Sequence, residues 1–170
     1  MVIPLEDFPK IREEKLKDKT IVCTSTFMDP PHPGHTSSIR ESKKFGDIMV
    51  VIIDGDTRAI NKKGKPFMPA VDRAQIADDI KGVDYVVIHE DPDAWHCADA
   101  IKIIRPDVFT KGGDRDEDSR NNPKSGLKYE ADVIESYGGR IQYNVGKPKK
   151  WSSSKYLEEW VDFVNSQEKE

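Results

Sequence analysis

This chain of 170 residues has only two cysteines and no long apolar run. Cys23 and Cys97 form neither a disulfide framework nor a Cys-x-x-Cys pair, so we expect two free, buried thiols in a reducing compartment. No stretch approaches the roughly 20 apolar residues of a membrane-spanning helix, and the first residues lack the basic and apolar blocks of a signal peptide. We therefore expect a cytoplasmic protein with no membrane partner.

Positive charge is not in excess either. The 27 Lys and Arg residues stand against 31 Asp and Glu residues, for a net charge of −4. Non-specific binding of nucleic acid needs a net basic surface, so nucleic acid is not an expected partner. The length suits one domain with a core that needs no disulfide or metal to fold.

Short apolar runs alternate with amphipathic stretches along nearly the whole chain. The predicted strands are Thr20–Thr26, Asp47–Asp54, Asp84–His89, Asp107–Lys111 and Arg140–Val145. The predicted helices that follow them are Pro33–Phe45, Pro69–Ile80, Ala94–Ile104, Ser125–Tyr137 and Ser153–Asn165. Strand followed by helix, five times over, predicts an α/β fold: a Rossmann-like, doubly wound, five-stranded parallel sheet in a single domain.

The ends of the chain and two polar stretches differ from this pattern. We expect residues 1–19 to form an N-terminal helical extension with a helix at Asp7–Leu16, residues 20–165 to form the domain, and residues 166–170 to be a disordered tail. Asp56–Met68 and Gly112–Lys124 are predicted loops, because both are polar and contain Gly and Pro. Long loops after strands of an open α/β sheet are typical binding loops.

The first strand leads into His32-Pro33-Gly34-His35, where a helix begins. Free amides at a helix N-terminus favour anions, and glycine there lets phosphate oxygens approach the backbone. The two histidines are three residues apart, so both rings can reach one ligand. Imidazole donates hydrogen bonds to charge that grows on phosphate oxygens, which favours phosphate chemistry at this turn.

Zinc binding is the alternative interpretation of the histidine pair. It requires a third ligand, and His89, His96 and Cys97 offer no recognisable spacing to the pair. We therefore rank zinc behind phosphate.

Several further segments contain residues suited to phosphate binding. Ser152, Ser153 and Ser154 precede or open the last helix, where hydroxyl groups cap free amides or bind an anion together with them. Lys147, Lys149 and Lys150 come just before these serines and would place positive charge beside a triphosphate, although such a run is more often a solvated surface.

Taken together, these motifs resemble the HxGH nucleotidyltransferase superfamily, which includes the cytidylyltransferases and the sugar-phosphate adenylyltransferases. Lys43–Asp47 looks like the superfamily's joint between helix and strand. Arg105–Asp114 (RPDVFTKGGD) is similar to the heptose-1-phosphate adenylyltransferase domain, and Trp151–Ser154 falls where the family has a serine/threonine motif. The resemblance spans about Thr20 to Val164.

The resemblance implies transfer of a nucleoside monophosphate group, AMP from ATP in the favoured interpretation, to a sugar phosphate such as heptose 1-phosphate, with release of pyrophosphate. One alternative is a cytidylyltransferase that uses CTP with glycerol 3-phosphate or with choline or ethanolamine phosphate. A second is a non-catalytic nucleotide-binding module. Mg²⁺ is the expected cofactor, held mainly by nucleotide phosphates rather than by protein ligands. Relatives commonly form a homodimer, so we expect one here.

The resemblance also implies roles for particular residues. Those implied as catalytic are His32, His35, Lys62, Lys63 and Ser153. Those implied in nucleotide binding are Thr26, Phe27, Met28, His32, Gly34, His35, Lys111, Gly112, Asp114, Lys147, Trp151, Ser152, Ser153 and Ser154. Those implied in binding the acceptor are Asp29, Lys43 and Arg73. Lys62 and Lys63 correspond to a lysine on a mobile loop that closes over the reacting phosphates.

Overall fold

The computed structural model describes residues 1–91, 93, 95–113, 115–122 and 124–167. The strands are β1 (Ile21–Thr26), β2 (Ile48–Asp54), β3 (Tyr85–His89), β4 (Val108–Gly112) and β5 (Arg140–Val145). They form one sheet in the order β3-β2-β1-β4-β5. Every neighbouring pair is parallel. The predicted five-stranded parallel α/β fold is confirmed.

The α-helices are α1 (Phe8–Lys15), α2 (Pro33–Ser42), α3 (Asp56–Lys63), α4 (Ala70–Asp78), α5 (Ala98–Ile104), α6 (Glu117–Asn121), α7 (Gly126–Ser136) and α8 (Ser153–Gln167). Short 3₁₀ turns lie at Leu5–Asp7 and Lys43–Phe45. None of the helices in the described part of the chain is both long and apolar enough to cross a membrane.

Two apolar clusters cover the two faces of the sheet, because successive side chains of a strand point to opposite faces. Along β2, Val50 and Ile52 pack into one cluster, while Val51 and Ile53 pack into the other. Side chains of α1, α5 and α7 complete the first cluster, and those of α2 and α4 complete the second. Cys23 and Cys97 are buried free thiols, as expected.

The strand order places a crevice at the centre of the sheet. β1 pairs with β2 on one side and with β4 on the other. After β1 the chain adds β2 and β3 on one side of the sheet. It then returns to the centre and adds β4 and β5 on the other side of β1. In open α/β sheets, ligands bind at this switch point, outside the carboxyl ends of the strands.

The expected loop at Asp56–Met68 is wrong in its first half, where the structure has α3. Asp56 lies in the first turn, and Lys62 and Lys63 lie in the last turn, which suits the positive and negative ends of the helix dipole. Gly64 ends the helix with a φ of 87°, a left-handed conformation that glycine adopts readily. The segment is predicted as a loop because it is polar, although these residues at its two ends are typical of a helix.

Other boundaries also differ from the expectation. The Gly112–Lys124 stretch contains the short α6, whose first turn is capped by the Asp116 carboxylate accepting from Ser119 N at 2.9 Å. α8 continues through Ser166 and Gln167, and residues 168–170 of the expected tail lie outside the described residues. The N-terminal segment packs onto the domain, because Phe8 is fully buried in the core.

Candidate active site

A cleft of about 400 Å³ opens at the carboxyl ends of β1 and β4. It is surrounded by the ends of β1, β2 and β4, by parts of α2, α3 and α7, and by the segment that enters α8. The predicted residues that line it are Thr26, Phe27, His32, Gly34, His35, Lys62, Lys63, Lys111, Gly112, Lys147, Trp151, Ser152, Ser153 and Ser154. Distant motifs of the sequence therefore share one cavity.

The two histidines stack at the entry to α2. Their rings are nearly parallel, with centroids 3.7 Å apart. The backbone N–H of His32 donates to Nδ1 of His35 at 3.2 Å, so the proton of a neutral His35 ring sits on Nε2. Burial, assisted by the neighbouring His32 and by Lys63, lowers the pKa of His35 to about 3. His35 is thus a neutral N–H donor at physiological pH.

His32 lies in a related environment. Burial lowers the pKa of its imidazole below the ordinary value. Its Nδ1 is buried against the backbone at Gly34, and the ring lines the cleft.

Gly34 makes the ring of His32 fit against α2. A Cβ at this position would lie 2.9 Å from Cε1 and 3.0 Å from Nδ1 of His32. The same Cβ would lie 3.4 Å from Cε3 of Trp151, so the indole covers the other side of this turn. Because Gly34 has no side chain, the rings of His32 and Trp151 can pack against the backbone at this position.

Two hydrogen bonds bring the serine cluster to the histidines. Lys147 N donates to Ser37 Oγ on α2 at 3.0 Å. Ser153 Oγ donates to the carbonyl of Pro30 at 2.7 Å. The N-terminus of α8 therefore faces the cleft, where its free amides and the serine hydroxyl groups favour an anion.

The two predicted catalytic lysines lie on α3 rather than on a mobile loop, which corrects that part of the expectation. The Lys62 ammonium lies 4.4 Å from the centre of the Phe27 ring. The Lys63 ammonium donates to the backbone carbonyl of Asp29 at 2.6 Å and to its carboxylate at 3.0 Å. Lys62 is therefore better placed than Lys63 to meet a ligand in this conformation.

Two carboxylates line the cleft among the described residues, and both are paired with a cation. Asp54 pairs with Arg58. Glu130 lies 2.7 Å from the ammonium of Lys111. Burial opposes the ionisation of Glu130, but Lys111 outweighs it and lowers the pKa of Glu130 to about 2.

The two carboxylates of the cleft are the groups to consider as ligands of the expected Mg²⁺ ion. Within the described ranges, no group of three or more His, Cys, Asp or Glu side chains could hold a metal ion. The paired carboxylates of the cleft offer no hard-oxygen cage of their own. An Mg²⁺ ion carried by substrate phosphates and water, which is how Mg²⁺ usually binds nucleotides, stays a prediction.

Met28 and Asp29 do not line the cleft, which corrects two predicted roles. Met28 is fully buried in the core against the second face of the sheet. The Asp29 carboxylate is also fully buried and accepts from the backbone N–H groups of Phe67 and Met68. Asp29 therefore holds the segment after α3 against the β1 loop, and the side chain is not available to an acceptor.

Lys43 is wrong as an acceptor ligand because it lies at the opposite edge of the sheet. Its ammonium donates to the Asp84 carboxylate at 2.6 Å and to the carbonyl of Asp47. Asp47 and Asp84 directly precede β2 and β3, so Lys43 joins the amino ends of these strands.

Arg73 is wrong as an acceptor ligand because it is completely buried. Its guanidinium donates to the carbonyls of Phe27, Asp54 and Met68 at 2.7, 2.7 and 2.9 Å. It also pairs with Asp56 at 2.7 Å. Arg73 thus supports the backbone beneath the cleft instead of binding a ligand. The remaining predicted residue, Asp114, lies outside the described residues.

Sequence reasoning missed a second cavity of about 490 Å³ beside the cleft. The residues that line both cavities are Phe27, Arg58, Lys62, Lys111, Arg115 and Glu130. Arg58 could have been found by recognising α3, whose first turns place it near the carboxyl end of β2. Glu130 had no sequence signal, because a single acidic residue on an amphipathic helix is ordinarily exposed.

Comparison with known proteins agrees with this architecture. The cytidylyltransferase-like family matches residues 23–159, which is most of the chain. The chain therefore belongs to the cytidylyltransferase-like family, and the resemblance seen in its motifs is confirmed.

Two similar curated proteins are both described as bifunctional protein HldE. The protein from a Nitratiruptor species is 35% identical over 121 residues, which cover 65% of this chain and 26% of that protein. The protein from Desulfatibacillum aliphaticivorans is 30% identical over 141 residues, which cover 81% of this chain and 27% of that protein. The chain thus spans about a quarter of the length of the curated relatives it matches.

A solved structure supports the fold alone. The lipopolysaccharide core biosynthesis protein from Thermoplasma volcanium GSS1 has a TM-score of 0.59 at 23% identity. The match covers 78% of this chain and 99% of that chain.

Proposed function

We propose that this chain transfers AMP from ATP to the phosphate of a phosphorylated sugar such as heptose 1-phosphate and releases pyrophosphate. The observation that carries the proposal is that His32, His35 and the Ser152–Ser154 cluster line one cleft at the switch point of the sheet. Membership of the cytidylyltransferase-like family supports nucleotidyl transfer as the class of reaction. The RPDVFTKGGD segment and the similarity to HldE proteins support the sugar phosphate as acceptor.

The reaction is an in-line displacement without a covalent enzyme intermediate. An oxygen of the acceptor phosphate forms a bond to the α-phosphorus of ATP. The bond between that phosphorus and the oxygen bridging to the β-phosphate breaks, and its electron pair leaves with pyrophosphate. Because the acceptor phosphate is already ionised at neutral pH, no strong base is needed, and the protein works by positioning and by neutralising charge.

The histidines act at the reacting phosphate. The neutral His35 ring donates its Nε2–H to an oxygen of the α-phosphate, where negative charge grows in the transition state. His32, whose ring also lines the cleft, supplies a second hydrogen-bonding group to the same phosphate chain. Both rings are held by their mutual stacking, so little reorganisation is needed.

The other end of the triphosphate lies at the N-terminus of α8. Ser154 and the free amides of the helix, including that of Ser153, hold the β- and γ-phosphates, and Lys147 and Lys62 add positive charge. When bound, Mg²⁺ supplies further positive charge through contacts with the phosphate oxygens.

The test is release of pyrophosphate from ATP or CTP with Mg²⁺ and a panel of acceptors: heptose 1-phosphate, glycerol 3-phosphate, choline phosphate and ethanolamine phosphate. We expect turnover with ATP and heptose 1-phosphate. His35→Ala should lower kcat by roughly 10²–10³, which is typical for loss of one preorganised donor. Faster turnover with CTP would favour the cytidylyltransferase alternative, and full activity of His35→Ala would refute the catalytic role.

A matched pair of lysine variants controls for loss of charge. Lys62→Ala removes a cation from the cleft, whereas Lys128→Ala removes one from the exposed pair with Asp132 on α7. Only Lys62→Ala is expected to lower kcat/KM.

If the wild type binds ATP but turns over no acceptor, the non-catalytic module is the better description. The homodimer stays a prediction, to be tested by light scattering.

A further inference from the structure

Nucleotidyl transfer needs room for two substrates whose phosphates meet. The second cavity and the cleft share the walls formed by Phe27, Lys62 and Arg115. A phosphate placed at this shared wall lies beside the cleft without occupying the site of the serine cluster. The second cavity therefore has the position required of an acceptor site.

Charge in the second cavity is one-sided. Among the described residues, its lining includes five cations, namely Arg58, Lys62, Lys111, Arg115 and Lys124. It includes two carboxylates, Asp93 and Glu130. Lys111 is neutralised by Glu130 and Arg58 by Asp54, so Lys62, Arg115 and Lys124 remain against Asp93. The cavity therefore keeps a positive field that attracts a phosphomonoester.

The outer wall of the second cavity carries an aromatic side chain. Trp95 is 47% exposed and contacts Tyr129 edge to face, with centroids 5.3 Å apart. Arg58 donates to the carbonyl of Trp95 at 2.7 Å, which ties the aromatic wall to the cationic one. An indole face packs well against the C–H groups of a sugar ring, and Asp93 can accept from sugar hydroxyl groups.

We propose that the second cavity is the acceptor subsite and that it takes a hydroxyl-rich phosphomonoester without a cationic headgroup. The excess of Lys and Arg attracts the phosphate and repels a quaternary or primary ammonium group on the same molecule. Sugar phosphates and glycerol 3-phosphate therefore bind, whereas choline phosphate and ethanolamine phosphate do not. This assignment rests on the proposed function, because only a transfer reaction has an acceptor. The residues that bind the acceptor are then Lys124, Arg115 and Trp95 in place of Asp29, Lys43 and Arg73.

The three tryptophans of the chain allow a test that does not depend on turnover. The double variant W151F/W160F keeps Trp95 as the only fluorophore of its kind, and W95F/W160F keeps Trp151, which lines the cleft. Each variant is titrated first with a non-hydrolysable ATP analogue and then, in its presence, with heptose 1-phosphate. We expect the ATP analogue to change the emission of Trp151 and the sugar phosphate to change the emission of Trp95.

Lys124→Ala and Lys128→Ala form the matched pair for this site, because only Lys124 lines the second cavity. Lys124→Ala should raise the Kd for heptose 1-phosphate about tenfold or more, as expected for loss of one charge-assisted contact. It should leave the Kd for the ATP analogue unchanged. Lys128→Ala should change neither.

Three results would overturn the inference: no response of Trp95 to heptose 1-phosphate, binding of choline phosphate as tight as that of glycerol 3-phosphate, or equal effects of the two lysine variants. Failure of the proposed function has a different signature. In that case both ligands bind as expected at their two tryptophans, but no pyrophosphate is released when ATP, Mg²⁺ and heptose 1-phosphate are combined.

Discussion

Gly34→Ala should separate catalysis from stability. The added Cβ would lie 2.9 Å from Cε1 of His32, whereas carbon atoms pack best at about 3.5–4.0 Å. The ring must therefore move by roughly 0.5–1 Å to relieve the contact. Because the same ring stacks on His35 with centroids 3.7 Å apart, the displacement also disturbs the second imidazole.

We expect kcat to fall about 100-fold, since a displacement of this size at a reacting phosphate commonly has that effect. The melting temperature should change little, because alanine suits a helix better than glycine by up to about 1 kcal/mol, which offsets part of the new contact. The assay is pyrophosphate release under saturating ATP and acceptor, with circular dichroism melting in parallel.

Arg40→Ala on the exposed side of the same helix is the control and should leave both quantities unchanged. Wild-type kcat in a folded Gly34→Ala protein would refute the argument that the position of the His32 ring limits catalysis. A large drop in melting temperature would refute the argument that the contact is relieved by the side chain alone.

Three further predictions concern other positions. Arg73→Met should lower the free energy of unfolding by about 3–5 kcal/mol in urea titrations, because it leaves buried carbonyl acceptors without a donor. Arg40→Met, at an exposed position, should change it by less than about 0.5 kcal/mol. A loss below about 1 kcal/mol for Arg73→Met would contradict the supporting role. Glu130 has a pKa of about 2 against an ordinary 4.5, so its ionised form stabilises the fold above about pH 4.5 and that contribution is lost as the pH falls toward 2. The stability difference between wild type and Glu130→Gln should therefore shrink from about pH 7 to pH 3, and a constant difference would be inconsistent with this linkage. Lys43→Ala should leave the KM of both substrates unchanged in steady-state kinetics, since its ammonium pairs with Asp84 far from the cleft; a tenfold rise in the acceptor KM would restore the discarded role.

The predicted residues that share the cleft come from motifs at the ends of strands. His32, His35 and Ser153 lie near the carboxyl edge of the sheet because α2 begins shortly after β1 and α8 follows β5. In a parallel sheet, those ends share one edge, so strand assignment alone brings these motifs together. The same logic predicted Lys111 at the end of β4.

The acceptor residues failed because position along the chain does not determine the direction of a side chain. Lys43 follows α2 and so lies at the amino edge of the sheet, one helix length away from His32. Arg73 is near the cleft in space, but its guanidinium is fully used by carbonyl groups beneath it. Neither outcome can be derived from residue type and spacing.

The amino-acid sequence by itself determined the alternation of strands and helices, the parallel sheet and the meeting of the HxGH and serine motifs, because apolar periodicity and chain order are local properties. Only the tertiary structure decided which cations of the cleft pair with a carboxylate. Lys62, Lys63 and Lys111 all line the cleft, but Lys63 is held by Asp29 and Lys111 is held by Glu130. Those choices depend on buried carboxylates contributed by other elements, and their distances exist only once the sheet and its helices have packed.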